Sequence, residues 1–323
     1  MKRAYFLGVA VATIVGLTAA FLLVMPHLPR PPEVAWIVGI YERKTEAARA
    51  IPGPKLVLIG GSATHFSYSA KIVSDIVGRP VVNFGVHAGL GGDYLLYRAR
   101  QVLRPGDTAI IGLEHALHFD QPAPTWQLAA VVVTSDHRYL LSAPRRELPN
   151  LVFGYSPAQI LRQEAAADLP PGHLYNSETV DGFGDETANT LANKLPFMKT
   201  FVLQAGPLSP QPIPELPAYI IDFIKWAKLN NIEVLHSWPP TVFYDTYKLP
   251  FYDTYFDVMK KLYESQGVRT IGEAKNYELP VEMMFDSQYH ANSVGQTAVS
   301  ERLGHDLCEI TTCEHPSSPT DAL

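Results

Sequence analysis

The sequence predicts an α/β fold, a three-layer α/β/α sandwich around a mostly parallel sheet, preceded by one N-terminal transmembrane helix. Three observations carry that prediction. The stretch Lys55 to Ser62, KLVLIGGS, contains an unbroken apolar run from Leu56 to Ile59. Such runs suit strands covered on both faces, as in parallel sheets. Further short apolar runs alternate with helical patterns along the chain, the signature of α/β architecture. Residues 4–25 form a charge-free apolar stretch at the N-terminus.

That stretch is about 22 residues long, close to the length a helix needs to cross a bilayer. Lys2 and Arg3 precede it as in a signal anchor, and the following PHLPRPPEV lacks a small-x-small cleavage site. An uncleaved anchor with the bulk of the chain outside the cytoplasm, periplasmic or extracellular, is therefore expected. Arg30, Arg43 and Lys44 on the far side weaken the charge asymmetry. The expected organisation is an anchor over 1–30, a stalk or linker over 31–54, an α/β domain over 55–310 and a tail over 311–323.

The chain has 323 residues, 47% of them hydrophobic, enough for a substantial buried core. Its net charge of −6, with no dense Lys/Arg run, excludes a nucleic-acid surface. Two cysteines, Cys308 and Cys313, are close enough to close a local loop in an oxidising compartment and too few for a zinc site.

Beyond the first strand, an apolar face from Ala70 to Val77 predicts a helix, Pro80–Phe84 a second strand, and Gly91-Gly92-Asp93 the opening of a helix running to about Leu103. RPGD at 104–107 is a turn, and Thr108–Leu113 a third strand. Residues 115–216 read as an irregular insertion, with helices near Trp126–Val133 and from Ser156-Pro157. Many of the 27 prolines fall between Pro122 and Pro217. Regularity returns with a helix over Pro217–Asn230, a strand over Ile232–Leu235, a helix over Tyr252–Gln266, a strand over Val268–Ile271 and a last helix over Ser293–Leu307.

Ser62 follows the first strand at a Gly60-Gly61 turn, where a hydroxyl can stand beside the first N–H groups of the next helix. An ordinary βα turn with a capping serine has the same pattern. FDSQYHANSVGQ, residues 285–296, brings Asp286 and His290 just ahead of the last helix. A serine hydroxyl becomes a useful nucleophile when a histidine accepts its proton and a carboxylate holds that histidine's tautomer. E-H-x-x-H-x-D at Glu114, His115, His118 and Asp120 superficially suggests a metal site, but it matches no known ligand pattern, and no metal or cofactor is assigned. Gly85 to Gly92 lacks the dinucleotide fingerprint. The aromatic stretch Trp238–Tyr255 fits core and helix face better than a sugar platform.

These residues resemble the SGNH hydrolase superfamily, the GDSL-type esterases with a flavodoxin-like sheet, and in particular its membrane-anchored bacterial branch linked to acylation of cell-surface polymers. Gly60-Gly61-Ser62 matches the block that holds the nucleophile, with glycine in place of its acid. Gly85, within Asn83-Phe84-Gly85, matches the oxyanion glycine of the second block. Asp286 and His290 match the last block. Two departures are visible. Glu114 stands where the family's third block supplies an oxyanion asparagine, and Asp286 and His290 are separated by three residues where two are usual. The resemblance implies a serine esterase or O-acyltransferase, with Ser62 as nucleophile, His290 as base and acid, Asp286 as orienting carboxylate, and Gly61, Gly85, Asn83 and Glu114 lining the site. It also implies an acyl group, acetyl first, on an envelope polysaccharide or glycan, with a membrane acyltransferase as partner. Two other readings stay open: a non-catalytic scaffold in an envelope-polymer assembly, and a glycan-active enzyme using Glu114 and Asp286 as paired carboxylates.

Overall fold

A strand with apolar side chains on both faces demands cover on both sides, and Leu56–Ile59 and Thr108–Ile111 are buried at every position. The computed structural model describes residues 2–28, 30–119, 124–155, 175–193, 204–209 and 212–313. In chain order its helices are α1 (Lys2–Val24), α2 (Pro32–Ala50), α3 (Ser62–Ser67), α4 (Ala70–Val77), α5 (Gly92–Arg100), α6 (Trp126–Thr134), α7 (Leu148–Phe153), α8 (Ala218–Leu229), α9 (Pro250–Ser265) and α10 (Ser293–Ile310). Its strands are β1 (Leu56–Ile59), β2 (Val81–Asn83), β3 (Thr108–Ile111), β4 (Glu233–His236), β5 (Thr241–Val242), β6 (Arg269–Thr270), β7 (Glu278–Leu279), β8 (Met284–Ser287) and β9 (His290–Ala291).

Five strands form one sheet in the order β2-β1-β3-β4-β6, with every neighbouring pair parallel. Leu56 to Ile59 pair with Thr108 to Ile111 on one side, and Leu56 to Leu58 with Val81 to Asn83 on the other. Helices flank the sheet, α4 packing with α10 and α5 with α8. The chain leaves β1 for β2 and then returns past β1 to β3. In such a winding, ligands bind beyond the carboxyl ends of the strands where the direction reverses, here between β1 and β3.

Local chemistry sets the helix ends. The Ser69 hydroxyl accepts from Ile72 N at the start of α4, and Gly78 ends that helix at φ 69°, a left-handed conformation glycine adopts without strain. Asn292 Oδ1 accepts from Val294 N and Gly295 N to open α10.

The chain divides into two compact units. Met1–Val38 with Pro122–His173 contains α1, the start of α2, α6 and α7. Tyr5–His27 is long and apolar enough to cross a membrane by length and composition. Leu128 to Thr134 of α6 are all buried, and Thr125 caps that helix at Leu128 N. Gly39–Gln121 with Leu174–Leu323 holds the sheet. Its share of α2 is packed, with Ile40, Tyr41, Lys44 and Ala48 all buried. Within the segment expected as a stalk or linker over 31–54, Pro32–Ala50 is helical. Residues 175–193, inside the expected irregular insertion, form a strap bonded to α3, β9 and α10. The helix expected from Ser156-Pro157 lies outside the described residues. Cys308 and Cys313 form a disulfide that ties the end of α10 to the following turn.

Candidate active site

β1 ends at Ile59, the chain turns at Gly60-Gly61, and α3 begins at Ser62. Gly61 is required by close approach, because a Cβ there would lie 2.5 Å from Glu114 Oε1 and 2.7 Å from Ala88 Cα. Ser62 is half-buried, and its hydroxyl makes no hydrogen bond among the described residues.

Asp286 and His290 lie on the β8–β9 hairpin, 12% exposed each. Their spacing is accommodated by a register shift between Met284 and Ser287 and by the Ser287 hydroxyl, which accepts from Tyr289 N at 3.2 Å. His290 Nδ1 lies 2.6 Å from Asp286 Oδ1. Tyr175 donates its hydroxyl to Asp286 Oδ2. Burial on its own would raise the Asp286 pKa, but the charge and hydrogen bond of His290 and the bond from Tyr175 outweigh it and hold the carboxyl below its usual range.

The hairpin is fastened to α3. The Ser67 hydroxyl donates to Tyr289 O at 2.9 Å and accepts from Ala291 N at 3.0 Å, gripping the backbone on both sides of His290. The His290 ring stacks on Phe66 at 4.3 Å between centroids. Phe66 is four residues after Ser62, and residues so spaced share a helix face at roughly 5–6 Å between Cβ atoms. Ser62 and Phe66, the ring on which His290 stacks, thus belong to the same short helix at the carboxyl end of β1.

Glu114, at the end of β3, spans the reversal point of the sheet. Its Oε1 accepts from Ala63 N at 2.8 Å and its Oε2 from Gly61 N at 3.1 Å, so the carboxyl brackets Ser62 from the two flanking peptides. Burial raises its pKa, against these N–H bonds and the charge of a protonated His290, which lower it. The residue that departs from the resembled pattern is the one that holds the Gly-Gly-Ser-Ala turn.

Asn83 lies beneath α3, fully buried. Its Nδ2 donates to Thr64 O, His65 O and Tyr68 O, at 3.0, 3.3 and 2.8 Å. Its Oδ1 accepts from Lys44 Nζ and from Gly85 N, both at 3.0 Å. The Gly85 N–H is therefore engaged by Asn83 and is not an open oxyanion donor as it stands. Gly85 has a steric role as well, since a Cβ there would lie 2.5 Å from Thr64 Cβ and 2.6 Å from His65 N. Burial depresses the Lys44 pKa to about 7, while Asp185, Glu186 and Asp181 act in the opposite direction.

The neighbouring histidines are neutral. Burial and the charge of Lys44 hold His65 at about 4, so its 3.3 Å contact with Glu186 is between a carboxylate and a neutral imidazole. Burial and the charge of His290 likewise hold His87, whose Nδ1 accepts from Gly89 N, at about 4. His115 and His118 are buried and depressed to about 3 and about 4, chiefly by desolvation. His118 Nε2 bonds Tyr263 at 2.8 Å, and Asp120 lies outside the described residues. Among the described residues no group of three His, Cys, Asp or Glu side chains is placed to hold a metal ion. Of the aromatic stretch, Trp238, Tyr247, Tyr252 and Tyr255 are core.

Sequence reasoning missed Tyr175, Phe66 and Lys44. Phe66 had a weak signal, its four-residue spacing from Ser62, whereas Tyr175 and Lys44 had none because their partners are distant in sequence. No protein-family model matches the chain, and no curated protein matches it at a significant level.

Proposed function

We propose that the protein is a membrane-tethered, extracytoplasmic SGNH-like serine esterase or O-acyltransferase. The observation that carries this reading is the Asp286–His290 pair, 2.6 Å apart, stacked on Phe66 one helical turn from Ser62. In the proposed reaction the Ser62 hydroxyl adds to an acyl carbonyl while its proton passes to His290 Nε2, and Asp286 stabilises the imidazolium. His290 then returns the proton to the departing alkoxide. Water, or a second hydroxyl, then adds to the acyl carbonyl as His290 takes its proton, and the Ser62 oxygen–acyl bond breaks as His290 returns that proton to the Ser62 oxygen. The apolar N-terminal helix and the Cys308–Cys313 disulfide favour a tethered domain in an oxidising compartment. The acetyl group, the envelope glycan and a membrane acyltransferase partner rest on the resemblance alone.

One specific observation favours the scaffold reading. Gly85 N–H, the oxyanion donor that the resemblance implies, is taken up by Asn83, and Glu114 occupies the N–H groups of Gly61 and Ala63 on either side of Ser62. The paired-carboxylate reading gains no support. Glu114 is engaged by two backbone donors, and Asp286 by His290 and Tyr175.

The test is to treat the full chain in detergent with a fluorophosphonate probe and an activated acetyl ester. Labelling at Ser62 that disappears in Ser62→Ala and His290→Ala supports the acyl-enzyme. Folded wild-type protein inert to both reagents and to acetylated glycan moves the assignment to the scaffold. Turnover that survives Ser62→Ala and vanishes in Glu114→Gln moves it to carboxylate chemistry.

A further inference from the structure

We propose that Tyr175 is a positioning residue of this site, its hydroxyl fixing the carboxylate that holds His290; this rests on the serine-hydrolase reading above. The Asp286 carboxylate has two oxygens, and both are committed. Oδ1 faces His290 Nδ1 at 2.6 Å, and Oδ2 receives the Tyr175 hydroxyl. A donor on the far oxygen draws charge away from the near one and stops the carboxylate from rotating. Both effects act on the imidazole, whose tautomer and whose imidazolium depend on that carboxylate.

The Tyr175 ring is held by the surface that holds His290. It meets Phe66 edge-on at 5.6 Å and 73°, while His290 stacks on the same ring at 4.3 Å and 26°. Tyr175 and Asn189 belong to the same stretch, 175–193. Further along, Asn189 Nδ2 donates to Phe66 O at 2.9 Å and to Ala291 O at 3.0 Å, joining α3 to the residue after His290. Asn189 O accepts from Ser293 N at 2.9 Å, joining the same point to the start of α10. The stretch thus fastens the three pieces of chain that carry Ser62, His290 and the last helix, and its Tyr175 reaches Asp286. Tyr175 acts through Asp286.

The test compares Tyr175→Phe with wild type in the full chain, reading the pH profile of fluorophosphonate labelling and the His290 Nδ1–H resonance in protein labelled with ¹⁵N-histidine. Loss of the donor leaves more charge facing the imidazole. The acid limb of the labelling profile should therefore move to higher pH, the plateau rate should fall roughly ten-fold, the scale of one hydrogen bond to a charged group, and the Nδ1–H resonance should shift. A tyrosine that only fills space would move neither the profile nor the resonance, and wild-type values for both overturn the proposal. Should Tyr175→Phe fail to fold, 3-fluorotyrosine at position 175 keeps the shape and strengthens the donor. The limb then moves to lower pH, and an unchanged profile overturns the proposal. If wild-type protein is not labelled at Ser62, the hydrolase reading falls separately. The resonance still decides Tyr175, a shift in Tyr175→Phe supporting its hold on the pair and an unshifted signal refuting it.

Discussion

Lys44 donates its ammonium to Asn83 Oδ1 over 3.0 Å, with both side chains fully buried. The pair joins α2 to the floor of the candidate site, because Asn83 also carries the Gly85 N–H and three carbonyls of the segment Thr64 to Tyr68. Burial depresses Lys44 to about 7, against a free lysine near 10.4. Between those values the unfolded chain binds the proton more tightly, so this group's contribution makes stability rise with pH from about 7 to about 10. Lys44→Met should lack that rise in urea titrations run across this range. An identical slope in both proteins would refute the assignment.

Removing Asn83 should be severe. Asn83→Ala leaves Lys44 Nζ, Gly85 N and the carbonyls of Thr64, His65 and Tyr68 without their Asn83 partner, and the expected loss is at least about 3 kcal/mol, by the cost of unsatisfied buried groups. Denaturant midpoints measure it. A loss under about 1 kcal/mol would mean that the segment relaxes onto other partners.

Asp286 is held below its usual range, since His290 and Tyr175 outweigh the upward effect of burial. A carboxyl lowered on folding stabilises the native state above its unfolded pKa, about 3.9, and that contribution is lost as pH falls through the folded value. Asp286→Asn should remove this component of acid denaturation below about pH 4. It should also slow Ser62 labelling by up to about 10⁴-fold, as when a triad carboxylate is neutralised. Labelling at the wild-type rate would exclude Asp286 as the orienting group.

For Glu114 the sign reverses. Burial raises its pKa despite the Ala63 and Gly61 N–H bonds, so the native state binds the proton more tightly and stability falls as pH rises above about 4.5. Glu114→Gln keeps one acceptor oxygen for two donors and should cost about 1–3 kcal/mol near pH 5, the gap narrowing at higher pH. Paired urea titrations at several pH values test both parts. A gap that widened with pH would show that the ionised form is the one the fold favours.

Gly85→Ala should disturb α3 directly. A methyl at that position would stand 2.5 Å from Thr64 Cβ and 2.6 Å from His65 N, so the helix carrying Ser62 must shift. Overpacking of this kind costs about 1–3 kcal/mol, and probe labelling at Ser62 should fall with it. Wild-type stability together with wild-type labelling would rule out this steric coupling.

The sequence by itself determined the sheet, the helices around it and the apolar N-terminal helix, because those follow from local periodicity. Leu56 to Ile59 and Thr108 to Ile111 are apolar on both faces wherever they lie, Ser69 and Gly78 mark the ends of α4 by their own chemistry, and the Cys308–Cys313 spacing suits a short loop. It also singled out Ser62, Asp286 and His290 as chemically matched types. Only the tertiary structure decided what surrounds them. Lys44 reads in the sequence as one more charge on the far side of an anchor, yet it is buried against Asn83, 39 residues away. Tyr175 sits in sequence without regular pattern, yet it reaches Asp286 across 111 residues. Glu114 reads in the sequence as a departure from the resembled pattern, and its two backbone donors come from across the sheet's reversal point. A hydrogen bond between distant residues leaves no periodic trace in either segment, so its partners become visible only when the chain has closed on itself.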